Sequence, residues 1–215
     1  MAYDVVIFDL DGTLLDPLDD LMDSCNYALS TIGAPPRTRA EIRRFVGNGI
    51  RNLMLQAVPD GADNPKFEQA YETMQTWYKA HNQIKTAPYP GVQRLIRTLK
   101  QQGVPMAVVS NKPDASVQML VEQWFPEITF GLGEREGLRR KPERDMVDYA
   151  IAQLGQTGKK TVYVGDSEVD LTTAANAGLD CISVTWGFRD RALLVERGAK
   201  QFADTAEELL RLIQG

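Results

Sequence analysis

Apolar residues along this chain fall into short runs separated by longer stretches of mixed character. Tyr3 to Phe8 is β-branched and aromatic, has no polar residue after Asp4, and ends at Asp9-Leu10-Asp11-Gly12. A run without polar alternation predicts a strand buried on both faces, as in a parallel sheet. Three further runs share the form: Val104 to Val109 before Ser110, Thr161 to Val164 before Gly165-Asp166, and Cys181 to Val184 before Trp186-Gly187. Between them the spacing becomes helical. Val92, Leu95, Ile96 and Leu99 share one face of a helix that stops at Gly103, a residue suited to a left-handed cap. Asp114 to Trp124, Asp145 to Leu154, Leu171 to Ala177 and Thr205 to Ile213 predict further helices. Strands alternating with helices in this way predict an α/β fold, an open Rossmann-like parallel sheet with helices on both faces.

One stretch breaks the alternation. From Leu18, Leu21, Met22, Cys25, Leu29 and Ile32 through Phe67, Tyr71, Met74 and Tyr78 the periodicity is helical throughout. It predicts a helical module, residues 16–87, inserted into a core made of residues 1–15 and 88–215, with joints near Leu15 to Pro17 and Ala87 to Pro90.

Composition narrows the partners. The formal net charge of −5 supplies no broad basic field for nucleic acid or an anionic membrane, although a local positive site for a small anion remains open. No apolar run approaches the roughly 20 residues of a membrane-spanning helix, and the amino-terminal segment lacks the pattern of a signal peptide, so a cytoplasmic protein is expected. Cys25 and Cys181 form no CxxC pair and sit in apolar patterns, which predicts buried reduced thiols.

In an open parallel sheet, ligands bind beyond the carboxyl ends of the strands. The residues there are Asp9, Asp11, Ser110, Asp166 and Asp170. Several carboxylates gathered in one crevice repel one another unless a cation sits among them, and an oxygen-only set suits magnesium. Each fragment alone has a plainer explanation. Asp-Gly is common turn chemistry, the 166–170 acidic segment fits a helix amino-terminus, and Lys141 in Arg139-Arg140-Lys141-Pro142 fits a solvated basic run.

Taken together and in this order, DLDGTL at 9–14, Ser110 in VVSNK, Lys141 in KP and GDSEVD at 165–170 resemble the four signature motifs of the haloacid dehalogenase superfamily. The resemblance covers nearly the whole chain, and the inserted helices resemble that family's small cap. Phe45-Val46-Gly47-Asn48-Gly49-Ile50, Trp186-Gly187-Phe188 and Arg197-Gly198-Ala199 resemble the phosphoglycolate phosphatase branch. After Lys141-Pro142 the chain continues Glu143-Arg144-Asp145, where many relatives carry a second proline.

The resemblance implies a Mg²⁺-dependent phosphatase acting on a small phosphorylated metabolite, with phosphoglycolate as the first substrate to consider and a sugar phosphomutase or pyrophosphatase as alternatives. It implies Asp9 as nucleophile, Asp11 as general acid and base, and Mg²⁺ held by Asp9, the Asp11 carbonyl and Asp166. Lys141, Thr13, Ser110 and the backbone amides of Leu10, Asp11 and Asn111 would bind phosphate, with Asp170 orienting a metal water or Lys141 from behind. Gly47, Asn48, Gly49 and Arg51 are the candidates for substrate choice, His81 is expected to be structural, and the protein is expected to be a monomer or homodimer.

Overall fold

The structure, a computed structural model, describes residues 1–47 and 49–215. In chain order it contains β1 (Val5–Phe8), β2 (Leu15–Asp16), α1 (Leu18–Thr31), α2 (Arg39–Phe45), α3 (Gly49–Ala57), α4 (Phe67–His81) and β3 (Ala87–Pro88). There follow α5 (Val92–Gln101), β4 (Met106–Pro113), α6 (Asp114–Trp124), β5 (Phe130–Glu134), α7 (Asp145–Gln153), β6 (Thr161–Gly165) and α8 (Glu168–Ala177). The chain closes with β7 (Asp180–Val184), α9 (Arg191–Glu196), β8 (Gln201–Ala203) and α10 (Ala206–Gln214).

The chain divides into two compact units, Met1–Leu15 with Pro88–Gly215, and Asp16–Ala87. The first holds a six-stranded sheet in the order β5-β4-β1-β6-β7-β8. Its pairings are parallel, with Ile7 opposite Ala107 on one side and Tyr163 on the other. Strand β1 is central and all four of its residues are fully buried, each contributing roughly 1.5–3 kcal/mol. Because side chains alternate across a strand, Val6 and Phe8 join one core with α5, α6 and α10. Val5 and Ile7 join the other core, with Met146, Val147 and Ala150 of α7 and Ala174 of α8.

Strand β5 and strand β8 add two edges that apolar runs did not predict. Gly133 of β5 allows a close approach, since a Cβ there would lie 2.5 Å from the Lys112 carbonyl and from Asp114 Cα. Helix α8 starts at Glu168, ahead of the first apolar residue of the predicted span, because Ser167 and Asp170 cap it: the Asp170 carboxylate accepts from the Ser167 N–H (3.1 Å) and hydroxyl (2.6 Å).

In the second unit α1 packs on α4, and α3 on α4. Phe67, Ala70, Met74 and Tyr78 of α4 are buried at helical spacing, as are Leu21, Cys25, Ala28 and Leu29 of α1. Asp20 is buried and takes the Thr86 N–H (2.8 Å), the Thr86 hydroxyl (2.7 Å) and the Lys85 N–H (3.0 Å). A carboxylate thereby fixes the returning chain to α1. His81 stacks on Trp77, which stacks on Tyr27, with ring centroids 3.9 and 3.7 Å apart, and its Nδ1 lies 2.8 Å from the Trp77 carbonyl. Both cysteines are free thiols, and burial pushes the Cys25 thiol up to about 12. No helix is long and apolar enough to cross a membrane among the described residues.

Candidate active site

The carboxyl ends of β1, β4, β6 and β7 carry the candidate residues. Asp9 follows β1 directly, with its N–H bonded to the Val164 carbonyl of β6 (2.9 Å). Asp166 follows β6, and its carboxylate accepts the Phe188 N–H at 2.6 Å from the loop after β7. Asp9, Asp166 and Asp170 bring one carboxylate oxygen each within 4.8 Å of one another, all three residues buried.

Lys141 lies among them with 4% of its side chain exposed. Its ammonium donates to Asp9 Oδ1 (2.7 Å), Asp170 Oδ1 (2.8 Å) and the Tyr163 hydroxyl (3.1 Å), which uses all three of its protons. The Tyr163 hydroxyl donates in turn to Asp170 Oδ1 (3.2 Å). The Lys141 backbone is fixed by the Asn111 side chain, which donates to its carbonyl and accepts from its N–H, both at 2.9 Å. The Lys141–Pro142 peptide is cis, and α7 starts three residues later without a second proline.

Lys141 pairs with two of the three buried carboxylates, Asp9 and Asp170, while Asp166 is stabilised by the Phe188 N–H and the charge of Arg189. Burial, and then the neighbouring Asp170 charge, raise the Asp9 carboxyl to about 7 against the pull of Lys141. Burial with the charges of Asp170 and Asp9 raises Asp166 well above the usual carboxylate range. Burial disfavours charge on Lys141, but Asp170 and Asp9 outweigh it and hold the ammonium well above its ordinary value. A divalent cation among Asp9 and Asp166 would remove this frustration, so the donor set fits a hard, oxygen-preferring metal. Asp170 is the poorer ligand of the three. Its Oδ2 already accepts the N–H groups of Asp166 (3.2 Å) and Ser167 and the Ser167 hydroxyl, while Oδ1 serves Lys141 and Tyr163.

Two buried hydroxyls have a proton to donate. Thr13 is fully buried and its Oγ1 has no protein partner. Ser110 is buried, and its Oγ accepts the Lys112 N–H at 3.2 Å, which leaves the hydroxyl proton to be directed elsewhere. Asp11 does not belong to the carboxylate cluster; its Oδ2 pairs with Lys112 at 2.8 Å.

The segment Trp186 to Phe188 braces the site. Trp186 Nε1 donates to the Thr13 carbonyl at 3.0 Å, and a Cβ on Gly187 would collide with Asp166 and the Gly12 carbonyl. Glu168 pairs with Arg189 through two contacts of 2.8 and 3.1 Å. Of the four residues named for substrate choice, Gly47 and Gly49 have left-handed backbone (φ 128° and 82°), and Asn48 lies outside the described residues. Arg51 makes a two-pronged ion pair with Glu68 and lies over the Phe67 and Tyr71 rings at 5.1 and 4.9 Å.

Sequence reasoning assigned no role to Tyr163, Lys112 or the Phe188 amide. Tyr163 places a hydroxyl between Val162 and Val164 in the buried strand β6, and Lys112 adjoins Ser110-Asn111, but the partners of neither are visible in the sequence.

The fold and the cluster define a parallel α/β enzyme with an acidic centre at the carboxyl ends of its strands. Residues 6–184 match the family model of haloacid dehalogenase-like hydrolases, and the chain belongs to that family. A phosphoglycolate phosphatase of Pseudomonas putida is 33% identical over 194 residues, covering 86% of this chain and 70% of that protein. A candidate phosphoglycolate phosphatase from Lactobacillus delbrueckii subsp. bulgaricus, solved by crystallography, is 39% identical, with a TM-score of 0.93 and 99% of both chains covered. The Protein Tyrosine Kinase A structure of Mycobacterium tuberculosis is also similar, at 26% identity, a TM-score of 0.82 and 99% of both chains covered. Likeness of fold alone therefore does not choose the reaction.

Proposed function

We propose that the protein is a Mg²⁺-dependent phosphatase that hydrolyses a small phosphate monoester through a phospho-aspartate on Asp9. The observation carrying this reading is the division of labour between two aspartates two residues apart. Asp9 is buried against Lys141 at the end of the central strand, while Asp11 stands outside the carboxylate cluster with its own cation. The names of the similar proteins support phosphoglycolate as the first substrate to test.

Phosphate monoesters hydrolyse so slowly that the site must lower the barrier by on the order of 20 kcal/mol, which calls for several contributions. Asp9 attacks phosphorus, the bond to the ester oxygen breaks, and Asp11 protonates the departing alkoxide. Water then attacks the aspartyl phosphate, Asp11 takes its proton, and inorganic phosphate leaves with Asp9 regenerated. Lys141, Thr13, Ser110 and the amides of Leu10, Asp11 and Asn111 hold the equatorial oxygens, where charge accumulates. The carboxylates of Asp9 and Asp166 and the carbonyl of Asp11 would hold Mg²⁺, which when bound offsets the repulsion between anionic nucleophile and anionic substrate. Asp170 and Tyr163 keep Lys141 aimed at Asp9. The helical unit would select the leaving group as the family's cap, with Gly47, Gly49 and Arg51, the last paired with Glu68, as its candidate residues.

The test is phosphate release from p-nitrophenyl phosphate and from a panel of phosphoglycolate, pyrophosphate and sugar phosphates, with Mg²⁺ or chelator, for wild type and Asp9→Asn. Turnover that is lost in both controls is expected. Activity that survives Asp9→Asn refutes the nucleophile assignment, and activity indifferent to chelation refutes the metal.

A further inference from the structure

Lysine normally keeps its ammonium in water while its stem covers apolar surface. Lys112 does not. Its side chain is only 8% exposed and its Nζ lies 2.8 Å from Asp11 Oδ2. The lysine projects from β4, and that segment is fixed twice. The Lys112 N–H bonds Ser110 Oγ, and the neighbouring Asn111 side chain clamps the Lys141 backbone. Asp11, by contrast, sits in the turn after β1, where the Gly12 N–H reaches the Leu15 carbonyl at 2.8 Å. Its Oδ1 is buried and has no protein partner. One carboxylate oxygen is thus tied to strand β4, and the other is left for a group that is not part of the chain.

We propose that Lys112 is a positioning residue that holds Asp11 by one oxygen so that the other meets the leaving-group oxygen. The inference rests on Asp11 being the general acid of the reaction above. A turn carboxylate without this anchor samples several rotamers, and the fraction poised for proton transfer falls. Such a defect weighs on esters whose alkoxide needs protonation and spares aryl esters, whose phenolate leaves unaided. General damage to the site weighs on both alike.

The experiment compares kcat/KM for the fastest alkyl phosphate of the panel and for p-nitrophenyl phosphate in wild type, Lys112→Met, Lys112→Gln, Lys112→Arg and Asp11→Asn, with melting temperatures as a check on folding. Lys112→Met and Lys112→Gln are expected to lose about 10- to 100-fold more on the alkyl than on the aryl ester. Lys112→Arg should recover part of that loss, and Asp11→Asn should show the same selectivity at least as strongly. Equal losses on both esters, or none, in the lysine variants alongside a selective Asp11→Asn overturn the role of Lys112 alone. An unselective Asp11→Asn overturns the acid assignment itself, and the inference falls with it.

Discussion

Replacing Lys141 by methionine isolates the electrostatics of the buried centre. Each of its carboxylate contacts, at 2.7 and 2.8 Å, corresponds to ~6 kcal/mol of attraction at an effective dielectric of about 20, set against several kcal/mol of desolvation per ion. Removing the cation leaves Asp9 and Asp170 buried without their shared partner, beside Asp166, an arrangement that typically costs about 3–5 kcal/mol. For a chain of this length that lowers Tm by about 6–20 °C. Catalysis should fall by about 10²–10³, the usual effect of deleting one preorganised charge contact. Urea unfolding of the metal-free protein reads the stability term, and two comparisons identify its origin. Saturating Mg²⁺ should narrow the gap to wild type, because it replaces the missing charge. Lys141→Met combined with Asp170→Asn should be more stable than Lys141→Met alone, because the orphaned charge is gone. A loss below ~1 kcal/mol in metal-free Lys141→Met, or a double variant that is worse than the single one by the full cost of Asp170→Asn, would refute the account.

Asp9 has its carboxyl raised to about 7 from an ordinary 3.8, so the folded state binds the extra proton. That contribution to stability is complete below pH ~4 and is lost as pH rises through ~7, where the site becomes ready for a cation. Mg²⁺ should therefore raise the melting temperature more at pH 8 than at pH 5.5, as scanning calorimetry would read; the reverse order contradicts the raised carboxyl. Gly187→Ala should abolish most activity and destabilise by about 1–3 kcal/mol, because the added methyl collides with Asp166 and the Gly12 carbonyl; a variant with wild-type Mg²⁺ affinity and rate would show that the loop yields freely. Asp20→Ala should cost about 2–4 kcal/mol by stranding the Thr86 and Lys85 N–H groups, checked by chemical denaturation; a loss under ~0.5 kcal/mol would mean that water replaces the carboxylate.

What could be read in the sequence follows a physical divide. Strand β1 and its acidic turn were legible because four consecutive residues are buried on both sides of one sheet, which leaves no polar position inside the run. Strand β5 was not, because Phe130-Gly131-Leu132-Gly133-Glu134 needs glycine where it approaches the start of α6, and glycine erases the hydrophobic signal. The first turn of α8 was obscured for a related reason: Glu168 and Asp170 are polar for capping and for the site, so the apolar period begins only later. Among site residues, Asp9, Asp166 and Lys141 lie in short stretches that are ordinary one by one and became legible only as an ordered set resembling the family's motifs. The roles of Tyr163, Lys112 and the Phe188 amide come from contacts to residues 7 to 101 positions away, and no local period encodes those.

The same divide explains why the two aspartates of the first turn were easy to find and hard to tell apart. Asp9 and Asp11 are chemically identical and separated by one leucine, so their own chemistry does not separate the proposed nucleophile from the proposed acid, and only the motif's resemblance assigns them. The fold distinguishes them by supplying different cations from different strands. Lys141, oriented by Tyr163 and Asp170 from β6 and α8, is shared between Asp9 and the buried cluster, whereas Lys112 from β4 serves Asp11 outside it. The two carboxyl groups therefore answer to separate counter-ions, Asp9 to Lys141 and Asp11 to Lys112. Exchanging the environments rather than the aspartates, through Lys112 and Lys141, is therefore the perturbation that probes how this turn assigns its chemistry.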